Sequence, residues 1–201
     1  MTARRARVVL FDLGGVLLPF DQERRVAVLA HALAIDVAGA RALVASGIAQ
    51  RLDTGAADER DLAREMFNVS GRVVAPAEAR QLWLSVFTEP NRPLWNLAAK
   101  LGTGSRIGIL SDNPKFVGEA FPIDVAWDYI ILSANLGLIK PAAAVFDAVQ
   151  RLVGVPANSI IFIDDREANT NAARASGWDA IHYTSNDYLA ADLAKRGYQC
   201  H

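Results

Sequence analysis

The chain has 201 residues, 52% hydrophobic and 21% charged, a composition that fits a folded globular protein and excludes a disordered or fibrous one. A formal net charge of -1 gives no electrostatic reason to expect nucleic acid or an anionic membrane as partner, so small-molecule chemistry is the expectation. The single cysteine, Cys200, lies beside the C-terminus, which leaves no intrachain disulfide or cysteine metal cluster and fits a reducing compartment.

At the N-terminus, Arg4, Arg5 and Arg7 precede an apolar run that stops at Asp12, too short for the core of a signal peptide. No stretch reaches the length needed to span a bilayer, and the expectation is a soluble cytoplasmic protein, monomeric or weakly homodimeric. The run RVVLF (7–11) predicts a first strand. Next comes a long helical interval. Val26, Leu29, Ala30 and Leu33 mark one face of a helix over 21–35, followed by helices over 38–52, 58–69 and 76–88. Asp58, with Asp61 three residues on, opens the third of these, and Pro76 fits the first turn of the fourth. Further strands are predicted at RIGIL (106–110), YIIL (129–132), SIIFI (159–163) and DAIHY (179–183), with helices over 114–121, 141–153, 166–176 and 185–196. Most of these strands lack polar alternation, as expected when both faces of a parallel sheet are covered. The pattern predicts an α/β fold: a doubly wound, Rossmann-like core from residues 1–17 and 91–201, and an inserted α-helical bundle cap from 18–90. Hinges are expected near 19–20 and 88–93.

In open α/β sheets ligands bind beyond the carboxyl ends of the strands, so the residues that follow each strand carry the functional signal. These are Asp12 after the first strand, Ser111, Asp112 and Asn113 at the second, Lys140 in the loop after the third, and Asp164 and Asp165 at the fourth. Carboxylates, a hydroxyl and an ammonium on one rim suit a divalent cation and a phosphoryl group, with hard oxygen ligands favouring Mg²⁺. Each residue also has a plainer reading. Asp12 fits a turn cap, Lys140 and Pro141 a helix start, the acid pair a helix-dipole partner, and Ser111 and Asn113 caps for the next helix.

The ordered motifs FDLGGV, LSDN, GLIKP and FIDD resemble those of the haloacid dehalogenase-like (HAD) hydrolase superfamily over nearly the whole chain. Within it, FDLGGV, GLIKP and FIDDREAN look most like the epoxide-hydrolase N-terminal-domain-like and sugar-phosphate phosphatase branch, which carries a helical cap. The resemblance implies a Mg²⁺-dependent hydrolase, in most members a phosphatase acting through a phospho-aspartate on a small phosphorylated substrate. By position, Asp12 is the implied nucleophile and a metal ligand, and the Gly14 carbonyl another ligand. Asp165 is the implied direct ligand and Asp164 acts through a bound water, an order that is reversible. Ser111 and the Asp112 amide hold phosphoryl oxygens, Lys140 bridges phosphate and Asp12, Gly15 and Asn113 approach the substrate, and Asn169 braces the acidic loop.

Gly14 departs from the pattern, because phosphatases of this superfamily usually have a second aspartate there as general acid and base. Either that catalytic help, about 10²–10⁴-fold, is missing, or Gly14 serves a backbone shape open only to glycine. Three other functions compete with a phosphatase. A dehalogenase acting through an aspartyl ester needs no metal, which leaves the acid pair unexplained. A receiver-type signalling domain has the same residue types in another strand order, and a phosphate-binding protein with weak turnover fits the loss at Gly14. Trp83 and Phe87 read as bundle core before substrate ceiling, and Arg51, Asp53, Asp58 and Asp61 as solvated helix ends. His31, His182 and His201 are too scattered for a metal set.

Overall fold

The computed structural model describes residues 7–119 and 125–198; Arg4, Arg5, Cys200, His201 and the last part of the helix expected over 114–121 lie outside the described residues. Strand β1 (Val8–Phe11) is followed by α1 (Gln22–Leu33), α2 (Val37–Ala45), α3 (Ile48–Asp53), α4 (Glu59–Ser70) and α5 (Pro76–Leu84). The chain continues through α6 (Arg92–Gly102), β2 (Arg106–Ser111), a 3-10 turn (Lys115–Glu119), β3 (Tyr129–Leu132), α7 (Ser133–Leu136) and α8 (Ala143–Val153). A second 3-10 turn (Ala157–Ser159), β4 (Ile160–Asp164), α9 (Glu167–Ala175), β5 (Asp179–His182) and α10 (Asn186–Lys195) complete it. The five strands form one parallel sheet in the order β3-β2-β1-β4-β5, an α/β Rossmann-like arrangement with β1 at its centre.

The central strands lack polar alternation up to their carboxyl ends because both of their faces are covered. Val9 and Phe11 of β1 join Ile161 and Ile163 of β4 in one apolar layer, while Val8, Leu10, Ile160 and Phe162 point into the other, against Phe146 and Trp178. The first layer continues without a break into the helical segment, through Leu29, Leu33, Leu43, Leu52, Leu62 and Trp83. In that segment α1 packs on α2 and α5, and α4 on α5.

Three helix expectations change. The helix expected over 38–52 is two helices, because Gly47 takes a left-handed φ of 82° between α2 and α3. The helix expected over 76–88 ends at Leu84. Beyond it the backbone pairs with the other hinge strand instead: Asp21 N donates to Val86 O at 2.7 Å, Thr88 N donates to Pro19 O at 3.3 Å, and Phe20 bridges Phe87. Helix α6 was not expected, since Pro93 reads as a hinge; here it is a first-turn proline, and Leu94, Trp95, Leu97, Ala98 and Leu101 bury one face. Over the described part of 114–121 the chain forms only the 3-10 turn. By contrast Asp58 and Asp61 form the full capping box expected at the start of α4.

Among the described residues no single helix is long and apolar enough to cross a membrane.

Candidate active site

The carboxyl ends of β1, β2 and β4 meet at one place. Asp12 leaves β1 with its amide donating to Ile163 O of β4 at 2.7 Å, so the sheet ladder itself positions the carboxylate. Its Oδ1 accepts from Leu13 N at 2.7 Å and from Ser111 Oγ at 2.8 Å, and lies 3.1 Å from Lys140 Nζ. Ser111 ends β2, and its Oγ accepts from Asn113 Nδ2 at 2.9 Å. Neither residue caps a following helix. Lys140 is only 4% exposed. Its Nζ also donates to Asp164 Oδ2 at 2.8 Å and to Leu110 O at 3.2 Å, and its backbone N donates to Asp112 Oδ1 at 3.1 Å. The loop between β3 and α8 therefore delivers the ammonium between two strand ends.

Asp164, the last residue of β4, is fully buried. It accepts from Arg166 N at 2.8 Å and from Asn169 Nδ2 at 3.0 and 2.9 Å, so Asn169 does brace this carboxylate. Asp165 is exposed, and its backbone carbonyl lies 2.9 Å from His182 Nε2. Gly15 has a φ of 78°, and a Cβ there would stand 2.3 Å from Asp165 Oδ2. Both facts require glycine. Gly14 is different. Its φ lies outside the left-handed region, and the nearest atoms that a Cβ would meet belong to the Phe20 ring, at 3.2 Å, and to Phe87, at 3.8 Å. Phe20 is 50% exposed and free to give way, so the backbone at position 14 does not demand glycine.

The charges are unbalanced. One oxygen from each of Asp12, Asp164 and Asp165 falls within 4.8 Å of the others, with Lys140 as the buried cation among them. Burial, reinforced by Asp164, pushes the Asp12 carboxyl up to about 7 against the opposing pull of Lys140, Ser111 and the Leu13 amide. Burial also raises Asp112 and Asp165. For Lys140 burial works against its charge, but Asp12, Asp164 and Asp112 outweigh it and hold its pKa above that of an ordinary lysine. An oxygen-only set with negative charge in excess of its cation fits a hard divalent ion.

Of the remaining candidates, Trp83 is buried in the helical core, and Phe87 is partly buried, its ring 5.9 Å from that of Phe20. Arg51 pairs with Glu65 at 2.7 Å on the surface. Asp53 is not a solvated helix end: it is largely withdrawn from water where α3 meets the core, and burial together with Asp112 pushes its carboxyl up to about 7 while Arg25 opposes the rise. Arg25 went unnoticed in the sequence, although it lies four and eight residues before Leu29 and Leu33 on the apolar face of α1. Asn91 was also missed, and no local pattern marks it. Its Nδ2 lies 3.0 Å from Tyr183 Oη, 3.0 Å from Asn186 Oδ1 and 3.2 Å from Val16 O, which ties the second hinge to the carboxyl end of β5.

No family model matches the chain. It is 25% identical over 184 residues, 86% of its own length and 89% of the relative's, to a D-ribitol-5-phosphate phosphatase of Bacteroides thetaiotaomicron. Among solved structures it is similar to a HAD family enzyme of the same organism, with TM-score 0.82 and 20% identity over 94% of this chain and 99% of that one. Another crystal structure of that enzyme, a complex with magnesium and inorganic phosphate, gives TM-score 0.78 at 21% identity over 92% and 98% of the two chains. A predicted HAD-like family hydrolase of Porphyromonas gingivalis gives TM-score 0.82 at 21% identity, covering 97% of this chain and 100% of its own. The chain has the fold of the haloacid dehalogenase-like hydrolases, and the four sequence motifs that resemble theirs meet at the carboxyl end of its parallel sheet.

Proposed function

We propose that the protein is a Mg²⁺-dependent phosphatase of small phosphorylated metabolites, sugar phosphates favoured, working in the cytoplasm as a monomer or weak homodimer. Residues 1–17 and 91–201 form the catalytic core and 18–90 the cap. The observation that carries this reading is the Asp12 carboxylate, held by Ser111 and Lys140 in one cluster with Asp164 and Asp165. The name of the curated relative and the magnesium and phosphate complex of the structural neighbour support it.

Asp12, the Gly14 carbonyl, Asp164 and Asp165 would hold Mg²⁺, with Asp165 a direct ligand and Asp164 acting through water. Once bound, the ion neutralises phosphoryl charge and fixes its orientation. Asp12 attacks phosphorus as its bond to the ester oxygen breaks, giving a phospho-aspartate; water then attacks phosphorus, the bond to Asp12 breaks, and phosphate leaves. Ser111 and the Asp112 amide hold phosphoryl oxygens, with Gly15 and Asn113 beside the substrate. Lys140, already charged, offsets the negative charge shared by phosphate and Asp12. Position 14 carries no carboxyl to protonate the leaving group or to activate water. That observation favours a second reading, a phosphate-binding protein with weak turnover. An aspartyl-ester dehalogenase leaves the cluster of Asp164 and Asp165 without a task.

The test is a screen of phosphorylated metabolites with and without Mg²⁺, a haloacid alongside, on the wild type and on Asp12→Asn and Lys140→Ala. Mg²⁺-dependent phosphate release, lost by several orders of magnitude in both variants, is the expected result. Halide release without metal, or near-normal rates in the variants, refutes it.

A further inference from the structure

Helix α3 ends at Asp53, and the loop beyond it is sewn onto the core beside the end of β2. The Asp53 carbonyl accepts from Ser133 Oγ at 2.6 Å, and the same Oγ accepts from Asn113 N at 3.0 Å. Gly55, with a φ of 72°, approaches so closely that a Cβ there would lie 2.3 Å from Ala134 O. The position of Asp53 is thus set by the loop that carries Asp112 and Asn113. Its carboxyl group accepts no hydrogen bond among the described residues, and it feels the charges of Asp112 and Arg25.

Arg25 is 6% exposed and locked in place. Its Nε donates to Trp83 O at 2.9 Å and its Nη1 to Gln22 Oε1 at 3.4 Å, while the guanidinium stacks 4.3 Å from the Trp83 ring and 5.6 Å from that of Phe20. Phe20 is the ring that a Cβ on Gly14 would touch, so this group overhangs the loop of the nucleophile. Arg25 is buried and Asp53 partly buried, and among the described residues no ion pair closes between their side chains. An unclosed pair of this kind is costly unless another polar group fills the gap.

We propose that Asp53 and Arg25 are specificity-determining residues that bind hydroxyl groups of a sugar or polyol leaving group, an inference that rests on the phosphatase reading above. A cationic leaving group would meet Arg25, and a second anion would meet Asp53 and Asp112. A hydroxyl both donates and accepts, and so satisfies the carboxyl and the guanidinium together. Because the Asp53 carboxyl is pushed up to about 7, it accepts from or donates to such a group near neutral pH. Phe20, half exposed beside Arg25, offers a ring face to the C–H surface of the same molecule.

The experiment uses the full chain with Mg²⁺ and compares kcat/KM on a five-carbon polyol phosphate and on pentyl phosphate, which lacks the hydroxyls, with p-nitrophenyl phosphate as a third substrate. In Asp53→Ala and Arg25→Lys, the preference for the polyol phosphate over pentyl phosphate is expected to fall about 10-fold or more, mainly through KM. Asp53→Asn, whose amide still bonds hydroxyls, is expected to lose less. A preference within twofold of wild type in all three variants overturns the proposal. So does an equal loss on polyol and pentyl phosphates that spares p-nitrophenyl phosphate, which marks Asp53 as an acid acting on the leaving oxygen. If the wild type turns over none of them, the phosphatase reading fails by itself, and calorimetry of the polyol phosphate and of inorganic phosphate decides the role of Asp53 and Arg25. Weaker binding of the polyol phosphate in Asp53→Ala, with phosphate unaltered, supports it, and equal binding of the polyol phosphate overturns it.

Discussion

Two adjacent glycines lie just beyond Asp12, and only one needs to be glycine. Gly15 is held by its left-handed φ and by the Asp165 carboxylate, whereas Gly14 faces a movable ring. If the reaction lacks an acid and base at position 14, hydrolysis of phospho-Asp12 limits turnover, and stopped-flow assays should show a product burst before a slower steady rate. Gly14→Asp is then expected to raise the steady rate about 10-fold or more, at the cost of a small shift of Phe20. No burst, with an inactive variant of normal stability, would refute the missing-base account. Asp53 supplies a second prediction at this scale. Its carboxyl titrates near 7 in the fold and near its ordinary 3.8 when unfolded, so the folded state favours the protonated form. That stabilising contribution is whole below about pH 4 and is lost as pH rises through 7. Asp53→Asn, a permanently neutral substitute, should therefore melt about 2–5 °C above wild type at pH 8, with the gap closing towards pH 4. A gap independent of pH would show that Asp53 ionises as freely as a surface carboxylate.

Elements position these residues through their ends. β1, β2 and β4 end at neighbouring levels of the sheet, and they leave Asp12, Ser111 and Asp164 at the last residue of the strand or just after it. Helix α3 does the same from the opposite side with Asp53. The two connections that join the helical segment to the sheet pair with each other at 20–21 and 86–88, and Asn91 fastens the second of them to Tyr183 and Asn186. Asn91 N and Trp95 Nε1 both donate to Leu17 O, at 3.0 and 2.9 Å, which fixes the start of α6 to the first connection. Asn91→Ala keeps its backbone bond to Leu17 but removes the side-chain bonds to Val16, Tyr183 and Asn186, leaving the Asn186 amide without its partner. A loss of about 1–3 kcal/mol is expected in urea unfolding, with KM rising more than kcat falls. Unchanged stability and kinetics would mean that the backbone bonds, the Trp95 indole and the aromatic contacts hold the junction without the Asn91 side chain.

For the whole molecule the main feature is an apolar layer continuous from the sheet into the helical segment, beside a site whose carboxylates exceed their cation. On this basis the sheet and the helical segment are expected to unfold as one cooperative unit, and a divalent ion that binds the folded state alone would add stability. With Mg²⁺ at about 100 times its Kd, the melting temperature is expected to rise by roughly 5–10 °C and to return to its starting value in excess EDTA, along with loss of activity. A single transition should appear in both conditions. Full activity in EDTA, or no shift with Mg²⁺, would separate the acidic cluster from any metal function.

The sheet was legible in the sequence because its strands are buried on both faces, which removes polar alternation and leaves runs such as IIFID that no exposed strand could carry. Asp12, Ser111, Asp164 and Asp165 were legible as candidates for a related reason: in a parallel sheet the residues at the carboxyl ends of the strands face the place where ligands bind; Lys140, in the longer loop beyond β3, was marked instead by the motif GLIKP. The break between α2 and α3 follows from the left-handed backbone of Gly47, whereas the early end of α5 was decided by pairing of the two connections and the existence of α6 by burial of its apolar face. Arg25, Asp53 and Asn91 belong to the same class. Each looks like an ordinary polar residue along the chain, and each acquires its role from groups tens of residues away, through burial that only the folded molecule creates.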